Sequence, residues 1–197
     1  MRRKVPALIC AAVFWVMLSS CAELRYSQVA PGIETFHPET ICVLSVNPGV
    51  YEKEAGDVAG DLIADAVKGK GWFSTVLSPR DLAKLTERDA TLRKAVSDYL
   101  AKLKTVHFSD PDLSRHIGEA CNADVFLVVD VNFWNYTTQG DDTLAKAGFS
   151  MELIEARTGR IMWKADHCAT KEYTWFKPDL TSFARSVARD MIDQMPH

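Results

Sequence analysis

The stretch Val125-Phe126-Leu127-Val128-Val129-Asp130-Val131 decides the fold. A strongly apolar run of this length, rich in β-branched residues, reads as a strand, here one that continues to Tyr136. Downstream the pattern changes. Ala145, Ala147, Phe149, Met151 and Leu153 alternate with Lys146, Ser150 and Glu152, and Ile161, Trp163 and Ala165 alternate with Met162, Lys164 and Asp166. A period of two marks antiparallel strands with one wet face. Between them Arg157-Thr158-Gly159-Arg160 is a tight hairpin turn, with Gly placed for positive φ. The chain closes on an amphipathic helix through Leu180, Phe183, Ala184, Val187, Ala188, Met191 and Ile192, whose apolar stripe needs a sheet face to cover.

Upstream, Ile41-Cys42-Val43-Leu44-Ser45-Val46 is a nearly continuous apolar run ended by Asn47-Pro48-Gly49, the pattern of a strand buried on both faces and followed by a turn. Ala55, Val58, Ala59, Leu62, Ile63 and Ala66 then recur at helical spacing, and Gly69 and Gly71 stand where a carboxy-terminal cap is wanted. Trp72 to Leu77 reads as a second strand, and Ser78-Pro79-Arg80-Asp81 as a capping-box-like helix start with Pro in first position. Residues 81–121 are helical in pattern, with a stripe of Leu92, Val96, Tyr99, Leu100 and Leu103 and a further helix after Ser109-Asp110-Pro111. The order β-α-β-α-α-β-β-β-α predicts an α/β fold, a two-layer or sandwich arrangement with one mixed sheet of about five strands: a βαβ start, an antiparallel meander at the end, and helices packed on it.

Composition agrees with one domain of this kind. The 197 residues are 47% hydrophobic and 25% charged, with 10 Gly and 8 Pro, which excludes disordered, collagen-like and multi-pass membrane classes. The formal charge of −3 leaves no basic surplus for nucleic acid, so no nucleic-acid partner is expected.

The amino terminus carries the clearest signal. Arg2, Arg3 and Lys4 precede an uncharged stretch from Val5 to Leu18, the n- and h-regions of a secretory leader and too short for a membrane span. Leu18-Ser19-Ser20-Cys21 resembles the lipobox of bacterial lipoproteins. That resemblance implies cleavage between Ser20 and Cys21, with a diacylglycerol and an N-acyl chain on Cys21 as the membrane anchor; Ala22 in the next position implies sorting to the outer membrane. Removal of Arg2, Arg3 and Lys4 with the leader takes the formal charge from −3 to −6, so attachment rests on the acyl chains rather than on anionic lipid. The expected organisation is leader 1–20, lipidated tether 21–39, where Pro31, Gly32 and Pro38 interrupt a polar stretch, and a single α/β domain over 40–197.

Taken together, Ile41-Cys42-Val43-Leu44, the helix end Gly69-Lys70-Gly71-Trp72-Phe73, Val76-Leu77-Ser78-Pro79-Arg80-Asp81-Leu82, Asn122-Ala123-Asp124-Val125 and Arg157-Thr158-Gly159-Arg160-Ile161-Met162-Trp163 resemble a group of small bacterial envelope lipoproteins. That group shares an α/β domain with the amino-terminal part of the TolB translocation protein, the curli-secretion lipoprotein and lipoprotein activators of penicillin-binding proteins. The resemblance spans roughly residues 40–195. It implies a non-catalytic lipoprotein on the periplasmic face of the outer membrane that binds another envelope component, an envelope protein above all, as scaffold or regulator. A carrier or sensor of a small apolar ligand or lipid is the alternative.

The sequence offers no catalytic or cofactor signature. His116 and Glu119 at i, i+3 would make half a metal site, and a solvated helix pair accounts for them better. Asp57, Asp61 and Asp65 line one helix face, whereas calcium ligands come from a tight loop. Gly56-x-x-x-Gly60 matches neither a phosphate loop nor a dinucleotide fingerprint. His37, His107, His116, His167 and His197 stand in no nucleophile context. Cys42, Cys121 and Cys168, with no CxxC and no zinc spacing, read as small core side chains. No catalytic residue, metal or cofactor is expected beyond the lipid on Cys21. What remains is aromatic: Phe133, Trp134 and Tyr136 at the end of the central strand, and Tyr173, Trp175 and Phe176 before the last helix. Trp134, Tyr136, Tyr173 and Trp175 are the candidate partner anchors, since Trp and Tyr offer large contact area at low entropy cost. The competing assignment seats the same rings at the sheet edge beneath the last helix.

Overall fold

A computed structural model describes residues 26–45 and 53–197. The leader, the cleavage position at Ser20, the acceptor Cys21 and the Asn47-Pro48-Gly49 turn lie outside the described residues. The strands are β1 (Tyr26–Val29), β2 (Thr40–Ser45), β3 (Thr75–Leu77), β4 (Val125–Gln139), β5 (Asp142–Glu155) and β6 (Ile161–Tyr173). The helices are α1 (Lys53–Lys70), α2 (Pro79–Arg88), α3 (Ala90–Val106), α4 (Pro111–Cys121) and α5 (Leu180–Ile192).

One mixed sheet runs β1-β6-β5-β4-β2-β3, so six strands are present rather than about five. β2 is parallel to β3 and β4, while β4, β5, β6 and β1 pair antiparallel. The additional strand is β1, from within the stretch expected to be tether. Tyr26 pairs with Asp166 and Val29 with Trp163. All four of its residues are exposed, so the segment lacks the alternation that announces a strand. What recruits it is the edge of β6, whose buried Trp163 donates its indole N–H to Ser27 Oγ at 3.1 Å. A buried indole needs such an acceptor.

The layers number three. α1 and α5 pack on one face with Ile41, Val43, Leu127, Val129, Phe149, Met151 and Trp163. α2, α3 and α4 pack on the other with Cys42, Leu44, Phe126, Val128 and Ile154. Between β3 and β4 there are three helices, not two, because Asp89 ends α2 and caps α3 by accepting from Thr91 and Leu92 N–H. The capping box at α2 forms as expected: Ser78 Oγ accepts from Asp81 N–H at 3.3 Å and Asp81 Oδ2 from Ser78 N–H at 3.2 Å. Trp72 and Phe73 precede rather than join the short β3.

The start of β2 and the end of α4 are tied together. Asn122 turns the chain with φ of 50°. Asp124 Oδ2 then accepts from Glu39 N–H, Thr40 N–H and Thr40 Oγ1, each at 2.9 Å, and Asp124 N–H reaches back to Thr40. Partial desolvation works against the Asp124 carboxylate, but these hydrogen bonds outweigh it and hold its pKa below the ordinary aspartate value. Asp124→Ala is expected to cost about 1–2 kcal/mol in denaturant titration, a value discounted for the exposure of the site. Because the native pKa lies below the unfolded one, the carboxylate contribution is complete above about pH 4 and disappears as pH falls through the native value. The wild-type and Asp124→Ala stabilities should therefore converge in that acid range.

Candidate functional site

The aromatic residues sit at the end of the long β4–β5–β6 sheet, remote from the Arg157–Gly159 turn. Their direction is set by a bulge in β4: Val131 pairs with Phe149, and Phe133 with the next residue back, Gly148. The surplus residue, Asn132, shares a face with Phe133. Asn132 Nδ2 donates to Ser150 Oγ at 2.8 Å and to Asp166 Oδ2 at 3.0 Å, and Phe133 lies against Gly148, where a Cβ would come within 3.0 Å of its ring. Unbroken alternation from Val131 would turn Trp134 and Tyr136 away from α5; the bulge turns them toward it.

The structure brings Tyr136 and Tyr173 together and separates the two tryptophans. Tyr136 and Tyr173 meet edge to face with ring centroids 5.7 Å apart. Tyr136 Oη donates to the Pro178 carbonyl at 2.7 Å, which fixes the base of the loop entering α5, and Lys177 Nζ stands 4.7 Å from the Tyr136 ring. Trp134 is half-buried, edge to face with the core ring of Phe149 at 6.2 Å, and packs toward the α5 side of the core. Trp175 and Phe176 cap the same loop with 89% and 90% of their surface exposed. Phe176, grouped with the cluster in sequence but not among the four anchors, is thus as open to solvent as Trp175.

The remaining candidates scatter. His116 and Glu119 are exposed on α4. Asp61 pairs with Arg80 at 2.6 Å and Asp65 is exposed. Gly60 is a packing residue: a Cβ there would stand 2.7 Å from Pro79 Cγ. His197 stacks on Trp72 at 3.9 Å, and His167 is 4% exposed with neither ring nitrogen hydrogen-bonded. Among the described residues no group of three or more His, Cys, Asp or Glu side chains could hold a metal ion. No described helix is long and apolar enough to cross a membrane.

Two hollows lie away from the aromatic loop. One, about 540 Å³, lies at the opposite end of the sheet and is lined by charged and polar groups including His37, Arg115, Glu119, Asn122, Glu155 and Arg157. A smaller one, about 170 Å³, lies where α3 ends over the sheet, between Lys104, His107, Asp130, Glu152 and Lys164. Burial pushes the Asp130 carboxyl above its ordinary range, with Lys104 pulling the other way. No pattern of spacing could have shown this hollow, since α3 and β4–β6 meet only in the fold.

No family model matches the chain, and neither does any curated protein. Among solved structures, two of the PelC dodecamer from Paraburkholderia phytofirmans share the fold. A single-substitution variant gives a TM-score of 0.56 at 17% identity, over 87% of this chain and 96% of that one. A second crystal form gives 0.53 at 18% identity, over 85% and 92%. Lipoprotein GNA1162 from Neisseria meningitidis gives 0.46 at 13% identity, over 80% and 100%.

Trp134→Ala and Trp175→Ala should separate in thermal and denaturant melts. The half-buried ring of Trp134 is expected to cost about 2–3 kcal/mol, below the full range for a buried Trp. The exposed ring of Trp175 should cost no more than about 0.5 kcal/mol.

Proposed function

We propose that this chain is a non-catalytic, lipid-anchored outer-membrane lipoprotein facing the periplasm, and that it binds an envelope protein through the loop that carries Trp175 and Phe176. The observation that carries the reading is the pair of almost fully exposed large rings on a loop whose base is pinned by the Tyr136–Pro178 hydrogen bond. Exposed aromatic groups cost solvation free energy, and on a held loop they supply contact area with little ordering entropy left to lose. Chain direction supports the same reading. β1 runs antiparallel to β6, so Tyr26, its first residue, is the one nearer the Tyr173 end of the sheet.

The carrier alternative draws less support. It calls for a cleft walled by the aromatic rings, and the hollow of about 340 Å³ at Tyr173, Trp175 and Phe176 is lined only by the continuous stretch Lys171 to Pro178, without the enclosing walls a small apolar ligand needs. The PelC structures are of dodecamers, which makes a second copy of this chain a specific competitor for the aromatic loop.

Cross-linking of the full-length protein in intact envelopes tests the proposal. Trp175→Ala with Phe176→Ala should leave the melting temperature within about 2 °C of wild type, while capture of a protein partner falls by at least about thirtyfold, the equivalent of 2 kcal/mol lost at an aromatic anchor. Unchanged capture would remove the loop from the interface, and cross-links solely between copies of the chain would reassign it to self-assembly. Separately, Cys21→Ala should abolish acylation and the normal cleavage, read by mass spectrometry of the mature terminus. A mature wild-type chain that begins elsewhere, or carries an unmodified Cys21, would overturn the anchor.

A further inference from the structure

Two of the cysteines meet inside the fold. Cys42, in the middle of β2, and Cys121, the last residue of α4, are 79 positions apart in the chain, yet both are buried in the cluster beneath α2–α4. Each is the first influence on the other's titration, Cys121 pushing the Cys42 thiol up and Cys42 pulling that of Cys121 down, as neighbouring thiols do. The backbone around them is held on both sides: Thr40, two residues before Cys42, is bonded to Asp124, three residues after Cys121, through both side chain and backbone. Cys42 is further fixed by its register with Leu77 and Phe126 on the neighbouring strands. That clamp holds the two segments side by side. Cys168 cannot compete, since β4 and β5 separate β6 from β2, and three strand spacings amount to about 14 Å, twice the Cα separation a disulfide tolerates.

We infer that Cys42 and Cys121 form a disulfide when the chain folds in an oxidising compartment, leaving Cys168 as a thiol. The compartment, though not the geometry, rests on the envelope reading above. The step is thiol–disulfide exchange with an external disulfide, small-molecule or protein. One cysteine thiolate attacks a sulfur of that disulfide and expels its partner as a thiolate. The second cysteine thiolate then displaces the remaining half, so the pair loses two electrons and two protons and the donor leaves as two thiols. Because both sulfurs are covered in the finished fold, exchange takes place before α4 closes over β2. The bond would link the parallel half of the sheet to the helix that covers it and close a loop of about 80 residues, a long one for the constraint it places on the unfolded chain.

The test uses the full-length protein, unfolded in guanidinium with a reductant and then refolded in a buffer of oxidised and reduced glutathione. Remaining thiols are blocked with N-ethylmaleimide and the peptides mapped without reduction. The expected result is a linked peptide pair containing Cys42 and Cys121, with Cys168 blocked, and a melting temperature roughly 5–15 °C above that of the protein refolded with reductant. Cys42→Ala should abolish both the link and the shift. Cys42 and Cys121 both blocked, or either one linked to Cys168, would overturn the inference. The same mapping on protein taken directly from envelopes separates the two readings. A link there supports both; thiols there, with a link in the glutathione buffer, would count against the envelope location and not against the pair.

Discussion

The fold depends on β4 being able to change its environment along its length. From Val125 to Val129 it is buried on both faces, between α1 and α5 on one side and α2–α4 on the other. Only a strand apolar at successive positions can occupy the middle of three layers without stranding polar groups. Beyond Asp130, over which α3 ends, the α2–α4 layer no longer covers it, and the same face becomes hydrophilic. Asn132, Ser150 and Asp166 form a hydrogen-bonded group there, with Ser150 Oγ donating to Asp166 at 2.6 Å, and Lys164 pairs with Glu152. These side chains satisfy one another across three strands, which is what allows half-buried polar groups to be kept on a sheet.

The bulge at Asn132 lies at this change of environment. A surplus residue lets β4 present Asn132 to the polar group and still return Trp134 and Tyr136 to the α5 face. Two consequences reach the aromatic end. Trp134 becomes a packing residue against Phe149, and Tyr136 becomes a strut, its hydroxyl on Pro178 and its ring on Tyr173. With these two rings engaged, the loop between β6 and α5 is anchored at its base, and its outer rings, Trp175 and Phe176, have nothing of the described fold to cover them. The four aromatic anchors read from the sequence therefore divide by depth: one in the packing, two in the strut, one in solvent.

The opposite end of the sheet is organised by different means. There the fold uses short-range hydrogen bonds from Asp124 to Glu39 and Thr40 to seat β2 beside β4, and the close approach of α4 to the β5–β6 turn admits no side chain at Gly118, where a Cβ would lie 2.7 Å from that of Ala156. The hollow at that end is ringed by charges of both signs. The described fold thus has a polar end, where the parallel strands begin, and an aromatic end, where β6 leads into α5.

Periodicity carried most of the element types, because burial imposes its period on any strand or helix that must hide one face: the apolar run at Val125, the alternation through β5 and β6 and the stripe of α5 were legible in order, and helix-start chemistry gave the capping box at Ser78. The proposed leader and Cys21 box rest on local pattern alone, read as linear sequence. Three features were decided only in three dimensions. β1 exists because the β6 edge and the Trp163 indole offered it partners, and an exposed four-residue strand leaves no periodic trace. The aim of Trp134 and Tyr136 was set by one surplus residue, whose position depends on the register between β4 and β5 rather than on any residue type. The meeting of Cys42 with Cys121 followed from docking α4 over β2, a contact between segments 79 residues apart that no spacing rule encodes. In each case the deciding partner lies far along the chain, so the physics that settles the outcome acts only after the sheet has formed.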